Sequence, residues 1–359
     1  MRIHFVRGFH MAFSHLALAQ LGWRAHFSRQ LSLDEAACST PARAVNVQRS
    51  GITLISERGE AHIPAATTRD LMITVGDWVL WDPVASRIER LLERSSFLAR
   101  IAAGNEQRLQ PIAANLDTLF VVTSCNEDFN VSRLERYLSI AHDAHIDPVI
   151  VLTKRDLCAD VEVLLAALQE VAPRVPAIAV NATDSASTRD LLGWLTPAAT
   201  VAFVGSSGVG KSTLVNALTS GTLVTGSIRE QDGKGRHTTT SRQMIAMPGG
   251  AWLIDTPGMR ELKLGAVEHG IRTTFDDVES LASRCRFRDC RHQREIGCAV
   301  LAAIAAGHLS ERRLSNYLKL QREAKHAVQS VFERREAERR FGRMHRVLQE
   351  QHRRDKRKE

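Results

Sequence analysis

Between residues 42 and 101 the apolar positions fall in short, β-rich runs. Ala44-Val45-Asn46-Val47 and Ile52-Thr53-Leu54-Ile55 cluster or alternate β-formers, and Glu57-Arg58-Gly59-Glu60 reads as a turn. Val75 to Trp81 predicts a strand, and Arg87 to Leu92 alternates again. Short strands at this spacing predict a small barrel, for which a five-stranded oligonucleotide-binding (OB) type is the leading candidate. Trp78 and Trp81 are then either core residues or stacking platforms for bases. The residues up to about 35 pattern as helix, with a break at Leu21-Gly22-Trp23. From Leu116 the pattern changes to alternating strands and helices. Strands are expected over Leu116–Thr123, Pro148–Leu152, Val175–Val180, Val201–Val204, Arg242–Met247 and Ala251–Asp255. Helices are expected over Val131–Ala144, Leu157–Val171, Thr188–Leu195 and from Thr213 onward. That alternation predicts a parallel sheet with ligand loops at the carboxyl ends of its strands. Beyond Leu264 the pattern is helical and adds no strand to that sheet.

Composition sharpens this picture in three ways. A chain of 359 residues with 44% hydrophobic and 25% charged residues has room for two or three domains with real cores. No apolar run reaches membrane-spanning length, so no membrane partner is expected. The formal net charge of +8 points to a polyanion. It is concentrated at the end: residues 311–359 hold 16 Lys/Arg against 8 Asp/Glu. This run reads either as a solvated helix face or as an RNA-binding segment, and its position after an arginine-rich loop favours RNA. Of six cysteines, three lie close together at 285, 290 and 298, which is no disulfide framework and suits a reducing, cytoplasmic location.

The strongest chemical signal is Gly205-Ser206-Ser207-Gly208-Val209-Gly210-Lys211-Ser212, followed by Thr213. It has the form G-x-x-x-x-G-K-S between a predicted strand and a predicted helix. Glycines let backbone N–H groups turn inward around an anion, and the helix N-terminus adds partial positive charge. Lys211 would reach the β- and γ-phosphates, and Ser212 would ligate Mg²⁺. Asp255-Thr256-Pro257-Gly258 ends a strand, so Asp255 would sit in the Mg²⁺ shell and the Gly258 N–H near the γ-phosphate. Thr153-Lys154-Arg155-Asp156 also ends a strand. Asp156 would accept from guanine N1–H and the exocyclic amine, with the Lys154 stem along the base and Asn181-Ala182 nearby. Adenine would leave that carboxylate unpaired.

These motifs run in an unusual order, with base recognition before the phosphate loop. That order, with Gly235-Arg236-His237-Thr238-Thr239-Thr240, Val75-Gly76-Asp77, Arg94 to Arg100, Gln110 to Asp117 and the cysteine cluster, resembles the circularly permuted GTPases of small-subunit ribosome assembly, the RsgA (YjeQ) family. The resemblance covers about residues 40 to 325. It implies that Gly235 to Thr240 is switch I, that Thr239 completes the Mg²⁺ shell, and that GTP is turned over with Lys211, Thr239 and His237 in the catalytic set. His237 would approach the attacking water or remain a solvated switch residue. Two positions depart from the family: Thr153 replaces the Asn of N-K-x-D, and Asn181 stands where Ser is usual. Thr153 is expected neither to offer an amide to the base nor to tether the phosphate loop as Asn does, leaving selectivity to Asp156. Met259 follows Gly258 where Ras-like enzymes carry Gln, so turnover without a partner should be slow.

Cys285, Cys290, His292 and Cys298 match a closed Cys₃His site for one structural Zn²⁺. Arg284, Arg286, Arg288, Arg291 and Arg294 interleave with these ligands. The fold expected is multidomain α/β: a helical extension (1–38), an OB-like barrel (39–103), a circularly permuted P-loop GTPase domain (104–268), and a zinc-binding, basic and mostly helical domain (269–359). The barrel precedes the GTPase sheet and would dock on it from the other side. The resemblance implies a monomeric GTP hydrolase, stimulated by the 30S subunit, that binds 16S rRNA late in subunit maturation. The competing reading is an RNA-binding assembly factor whose nucleotide site is only structural.

Overall fold

In a computed structural model of the chain, the described residues are 16–68, 71–101, 109–126, 128–219, 242–255 and 267–327. They fall into two compact units, one within Met1–Ala99 and Pro111–Leu262, the other within Arg100–Gln110 and Lys263–Glu359.

The first unit opens with a 3-10 turn at Leu18–Leu21 and two short helices, α1 (Ala25–Ser28) and α2 (Leu33–Cys38). Most of the helix expected to end at Gln20 lies outside the described residues. A β-rich part follows: β1 (Thr40–Gln48), β2 (Gly51–Ser56), β3 (Gly59–Pro64), β4 (Trp78–Asp82) and β5 (Arg87–Leu91). Their order, β3-β2-β1-β4-β5, is antiparallel throughout. Ala42, Leu54, Ile63 and Val79 fill its interior. Trp78 and Trp81 are only 1% and 8% exposed, which rules them out as stacking platforms and makes them core. Trp78 takes the edge of Trp23 at 4.8 Å between ring centroids.

β6 (Phe97–Ile101) and β7 (Leu109–Ala114) form a separate two-stranded ribbon. The α/β part then runs β8 (Thr118–Ser124), α3 (Val131–Asp143), β9 (Asp147–Thr153), α4 (Val161–Val171), β10 (Ala177–Ala179), α5 (Ser185–Thr188), β11 (Thr200–Val204), α6 (Lys211–Leu218), β12 (Arg242–Ala246) and β13 (Trp252–Asp255). The expected helix over 157–171 is split, because a 3-10 turn occupies Arg155–Leu157 before α4 begins. Strands β10-β9-β8-β11-β13 are parallel and β12 is antiparallel to β13. All seven residues of β8 are buried, as in a strand covered on both faces. Phe120 and Phe203 stack at 4.8 Å in this core.

The β-rich part is not a separately docked module, and among the described strands no β3–β5 pairing closes it into the expected barrel. Its strand β1 pairs antiparallel with β12 at Asn46↔Gln243 and Val47↔Arg242, making one continuous sheet. The junction is polar and buried. Arg43, 1% exposed, donates to the carbonyls of Leu21 and Asn115 (3.3 Å) and to the Thr200 hydroxyl (2.8 Å). Burial pushes its guanidinium down to about 9, with Asp117 opposing that shift. The Asn115 amide donates to the Gly76 carbonyl at 2.9 Å. Gly76 has φ +89, and a Cβ there would lie 2.1 Å from the Ala114 carbonyl oxygen, so no other residue fits. Arg94 holds Asp77 through two hydrogen bonds of 2.7 and 2.8 Å.

The second unit contains α7 (Glu268–Thr274), α8 (Asp276–Ala282), α9 (Ala299–Ala305) and a helix over 311–327. Phe275 is its fully buried centre, packed by Tyr317 and by the Arg313 guanidinium 4.4 Å from its ring.

Candidate nucleotide site and metal centre

The nucleotide motifs meet at the carboxyl ends of parallel strands. β11 delivers the phosphate loop, Gly205 to Gly210, and α6 begins at Lys211 with Ser212 and Thr213 in its first turn. The loop's shape is set by its glycines. Gly205 has φ +147, and a Cβ there would lie 2.2 Å from the Val122 carbonyl oxygen. Gly208 has φ +79 with open space around it, which is where an incoming anion would need room. Val209, 1% exposed, pins the loop into the sheet's core. Lys211 Nζ donates to the carbonyls of Gly205 (2.8 Å) and Ser206.

Thr153, at the end of β9, is fully buried. Its hydroxyl lies against two carbonyls, that of Thr123 at 3.1 Å and that of Val209 in the phosphate loop. Thr153 therefore does tether the loop, through its hydroxyl rather than through the amide that Asn would offer. Lys154 adopts a left-handed conformation (φ +57) and turns the chain so that Asp156 is exposed. The Arg155 N–H donates to the Val180 carbonyl at 3.3 Å, which draws the Asn181-Ala182 loop against this turn. Asn181 Oδ1 accepts from Thr183 N–H (3.0 Å) and its hydroxyl (2.7 Å), so its side chain orders its own loop. Ala182 is buried.

Parallel pairing of β11 with β13 places Asp255 beside the strand end that opens the phosphate loop. Ser212 and Asp255 offer the hard oxygen donors that Mg²⁺ takes. Thr239, His237 and Gly258 lie outside the described residues. Motif reading missed Arg133, in the first turn of α3. Its guanidinium Nη1 donates to Asp128 at 2.8 Å and to the Ser206 hydroxyl. No spacing rule links 133 to 206; only the adjacency of β8 and β11 does.

The second unit carries a candidate metal centre. Ligand atoms of Cys285, Cys290, His292 and Cys298 all lie within 4.8 Å of one another. Cys285 Sγ is 3.6 Å from His292 Nδ1 and 3.9 Å from Cys298 Sγ, and His292 Nδ1 is 3.4 Å from Cys298 Sγ. A tetrahedral zinc, with Zn–S about 2.3 Å and Zn–N about 2.0 Å, sets sulfurs about 3.8 Å apart and nitrogen about 3.5 Å from sulfur. The set fits that ion. Glu295 shapes the loop by accepting from the N–H groups of Arg291 (3.0 Å), Gln293 (2.8 Å) and Arg294 (3.0 Å). Those bonds, Gln293 first, hold its carboxyl down at about 2. The five arginines of this loop are all exposed.

Comparison with known proteins agrees with this geometry. The family model described as "RsgA GTPase" matches residues 91–265, and one described as "50S ribosome-binding GTPase" matches 200–331. The Small ribosomal subunit biogenesis GTPase RsgA 2 of Vibrio vulnificus is 49% identical over 333 residues, covering 92% of this chain and 95% of its own. RsgA of Mesorhizobium japonicum is 44% identical over 86% of this chain and 90% of its own. The crystal structure of YjeQ from Thermotoga maritima superposes with a TM-score of 0.59 at 25% identity, over 80% of this chain and 98% of that one. YloQ, described as a circularly permuted GTPase, gives 0.57 at 25% identity, over 80% of this chain and 95% of that one. With its base-recognition strand ahead of its phosphate loop, and relatives of this identity along nearly its whole length, this chain belongs to the RsgA family of circularly permuted P-loop GTPases.

Proposed function

We propose that this GTPase acts in late maturation of the 30S ribosomal subunit, as a cytoplasmic monomer whose grip on 16S rRNA is set by the bound nucleotide. The observation that carries the reading is the approach of Thr153 to Val209, which fixes the base-recognition turn against the phosphate loop within one site. In this reading Asp156 and Lys154 select guanine, beside Asn181 and Ala182. The N–H groups of the loop from Gly205 to Gly210 surround the β-phosphate, and Lys211 neutralises charge on the β- and γ-phosphates as water attacks the γ-phosphorus. Ser212, Thr239 and Asp255 would hold Mg²⁺, which would supply further neutralisation of phosphate charge. Gly258 reports the γ-phosphate, and His237 draws the attacking water into line. One Zn²⁺ on Cys285, Cys290, His292 and Cys298 keeps the arginine-bearing loop folded for binding to the RNA backbone.

The names of the relatives support the small subunit as partner, and the exposed arginines around the metal centre support RNA. The test is phosphate release from GTP by the wild type and Lys211→Ala, with and without purified 30S subunits. The expected outcome is slow release alone, stimulation by 30S, and loss of both with Lys211→Ala. Release that 30S leaves unchanged, or that survives Lys211→Ala, rejects the reading, and no release under either condition leaves a structural nucleotide site.

A further inference from the structure

Two cations converge on one residue of the phosphate loop. Lys211 Nζ donates to the Ser206 carbonyl, and Arg133 Nη1 to the Ser206 hydroxyl. The guanidinium therefore lies within one residue's span of the ammonium group. The loop also has a direction. Val209, at its far end, is tied to Thr153 on the base-recognition side. Ser206, at its near end, is where the lysine that serves the β- and γ-phosphates is found. Arg133 thus stands at the terminal-phosphate end.

It is also held ready there. Asn130 caps α3 by accepting from the Arg133 N–H at 2.9 Å, which fixes the backbone. Asp128 accepts from Nη1 at 2.8 Å, which fixes the side chain. Nη1 makes both side-chain bonds, so among the described residues Nε and Nη2 are uncommitted donors on a half-buried side chain. Asp128 Oδ2 is likewise buried without a partner. A guanidinium with two spare donors matches a phosphate oxygen pair in shape and charge.

We propose that Arg133 is a second phosphate-binding cation of this site, supplied in cis from the first turn of α3, whose free nitrogens engage the terminal phosphate of GTP. It therefore discriminates GTP from GDP, and it adds positive charge beside the γ-phosphoryl group as that group passes from GDP to water. The plain alternative is a tether that joins α3 to the loop through Ser206. Such a tether would serve GDP and GTP equally.

The experiment measures the affinity of the full-length protein for GDP and for a non-hydrolysable GTP analogue, and kcat for GTP, in Arg133→Ala, Arg133→Gln and Arg133→Lys. Gln keeps a donor for Ser206 without charge, and Lys keeps charge without the fork. The expected result for Ala and Gln is about tenfold weaker analogue binding, with GDP affinity changed less than about twofold and kcat lowered. Lys should restore part of the loss. Equal losses for GDP and the analogue, or full rescue by Gln, would overturn the proposal and leave a tether. Thermal melting of each variant separates both results from misfolding, since an unfolded variant loses GDP binding as well.

Discussion

Thr153 shows how much one hydroxyl does in this site. It is fully buried, and its single O–H serves the two carbonyls it faces, so removing it takes the only hydroxyl donor from that pair. Thr153→Val keeps the shape and deletes only that group. An unsatisfied buried carbonyl costs about 1–3 kcal/mol, so the variant should melt several degrees lower and bind GDP about tenfold more weakly by fluorescence titration. Thr153→Ser should retain most of both. Unchanged GDP affinity in the valine variant would mean the loop is held elsewhere. Glu295 does comparable work at the metal centre. Its carboxyl titrates near 2 in the folded protein against an ordinary 4.5, so its stabilising effect is complete above about 4.5 and lost as pH falls through about 2. Glu295→Gln should release zinc to a chelator faster than the wild type. The gap between the two proteins should stay constant from about pH 8 to about pH 5 and close only below about pH 4.5. A gap that closes at neutral pH would show that the carboxylate is not what orders the loop.

At the scale of elements, the junction between barrel and α/β sheet is the feature with the largest consequences. Val75-Gly76-Asp77, Arg94 and Asn115 all lie in stretches whose resemblance to the family is clear, yet none touches the nucleotide motifs. They build a buried polar junction: Arg94 neutralises the buried Asp77, Asn115 bonds the Gly76 carbonyl, and Arg43 ties the turn to the start of β11. Removing one partner of a buried pair leaves an uncompensated charge, at about 3–5 kcal/mol. Arg94→Met should therefore lower the melting temperature markedly, whereas the double variant Arg94→Met/Asp77→Leu should recover much of it; a single variant as stable as the wild type would show the pair to be idle. The strands and helices of the sheet were legible from periodicity, because β8 and β9 are continuous apolar runs and α3 has a polar face. The loop glycines and the clustering of the Cys₃His set were legible because their chemistry demands fixed spacings. The β1–β12 pairing was not, since it joins residues nearly two hundred positions apart and depends on which edge is left open. Nor was Arg133, which reaches the site only through strand order. Trp78 and Trp81 were ambiguous for a related reason: alternation says that a strand tryptophan has a face, not whether that face is covered.

For the whole molecule, β12 is the strand that follows the segment assigned to switch I, and β1 of the barrel is paired to it. In the proposed reading, a nucleotide change that moves switch I acts on a strand hydrogen-bonded to the β-rich part. At the other end of the GTPase part, Asp255 leads through the segment containing Gly258 into the unit with the metal centre. Each neighbour of the GTPase part is therefore joined, by chain or by sheet, to a segment proposed to sense the nucleotide. RNA binding by such a molecule should depend on both nucleotide and salt. In the proposed reading, the exposed arginines of the Cys₃His loop and the basic run over 311–359 supply RNA affinity by neutralising phosphates. Every phosphate left without its cation should flatten the slope of log affinity against log salt by about 0.7 on single-stranded RNA. Shortening the chain at residue 327 removes 11 Lys/Arg and 6 Asp/Glu. With the GTP analogue bound, the shortened protein should bind 30S subunits with a flatter salt slope than the full chain while its GTP affinity stays the same. Substituting Arg286 and Arg288 by Gln should flatten the slope further. An unchanged slope in both would place the RNA-binding surface on the barrel, the remaining part joined to the switch.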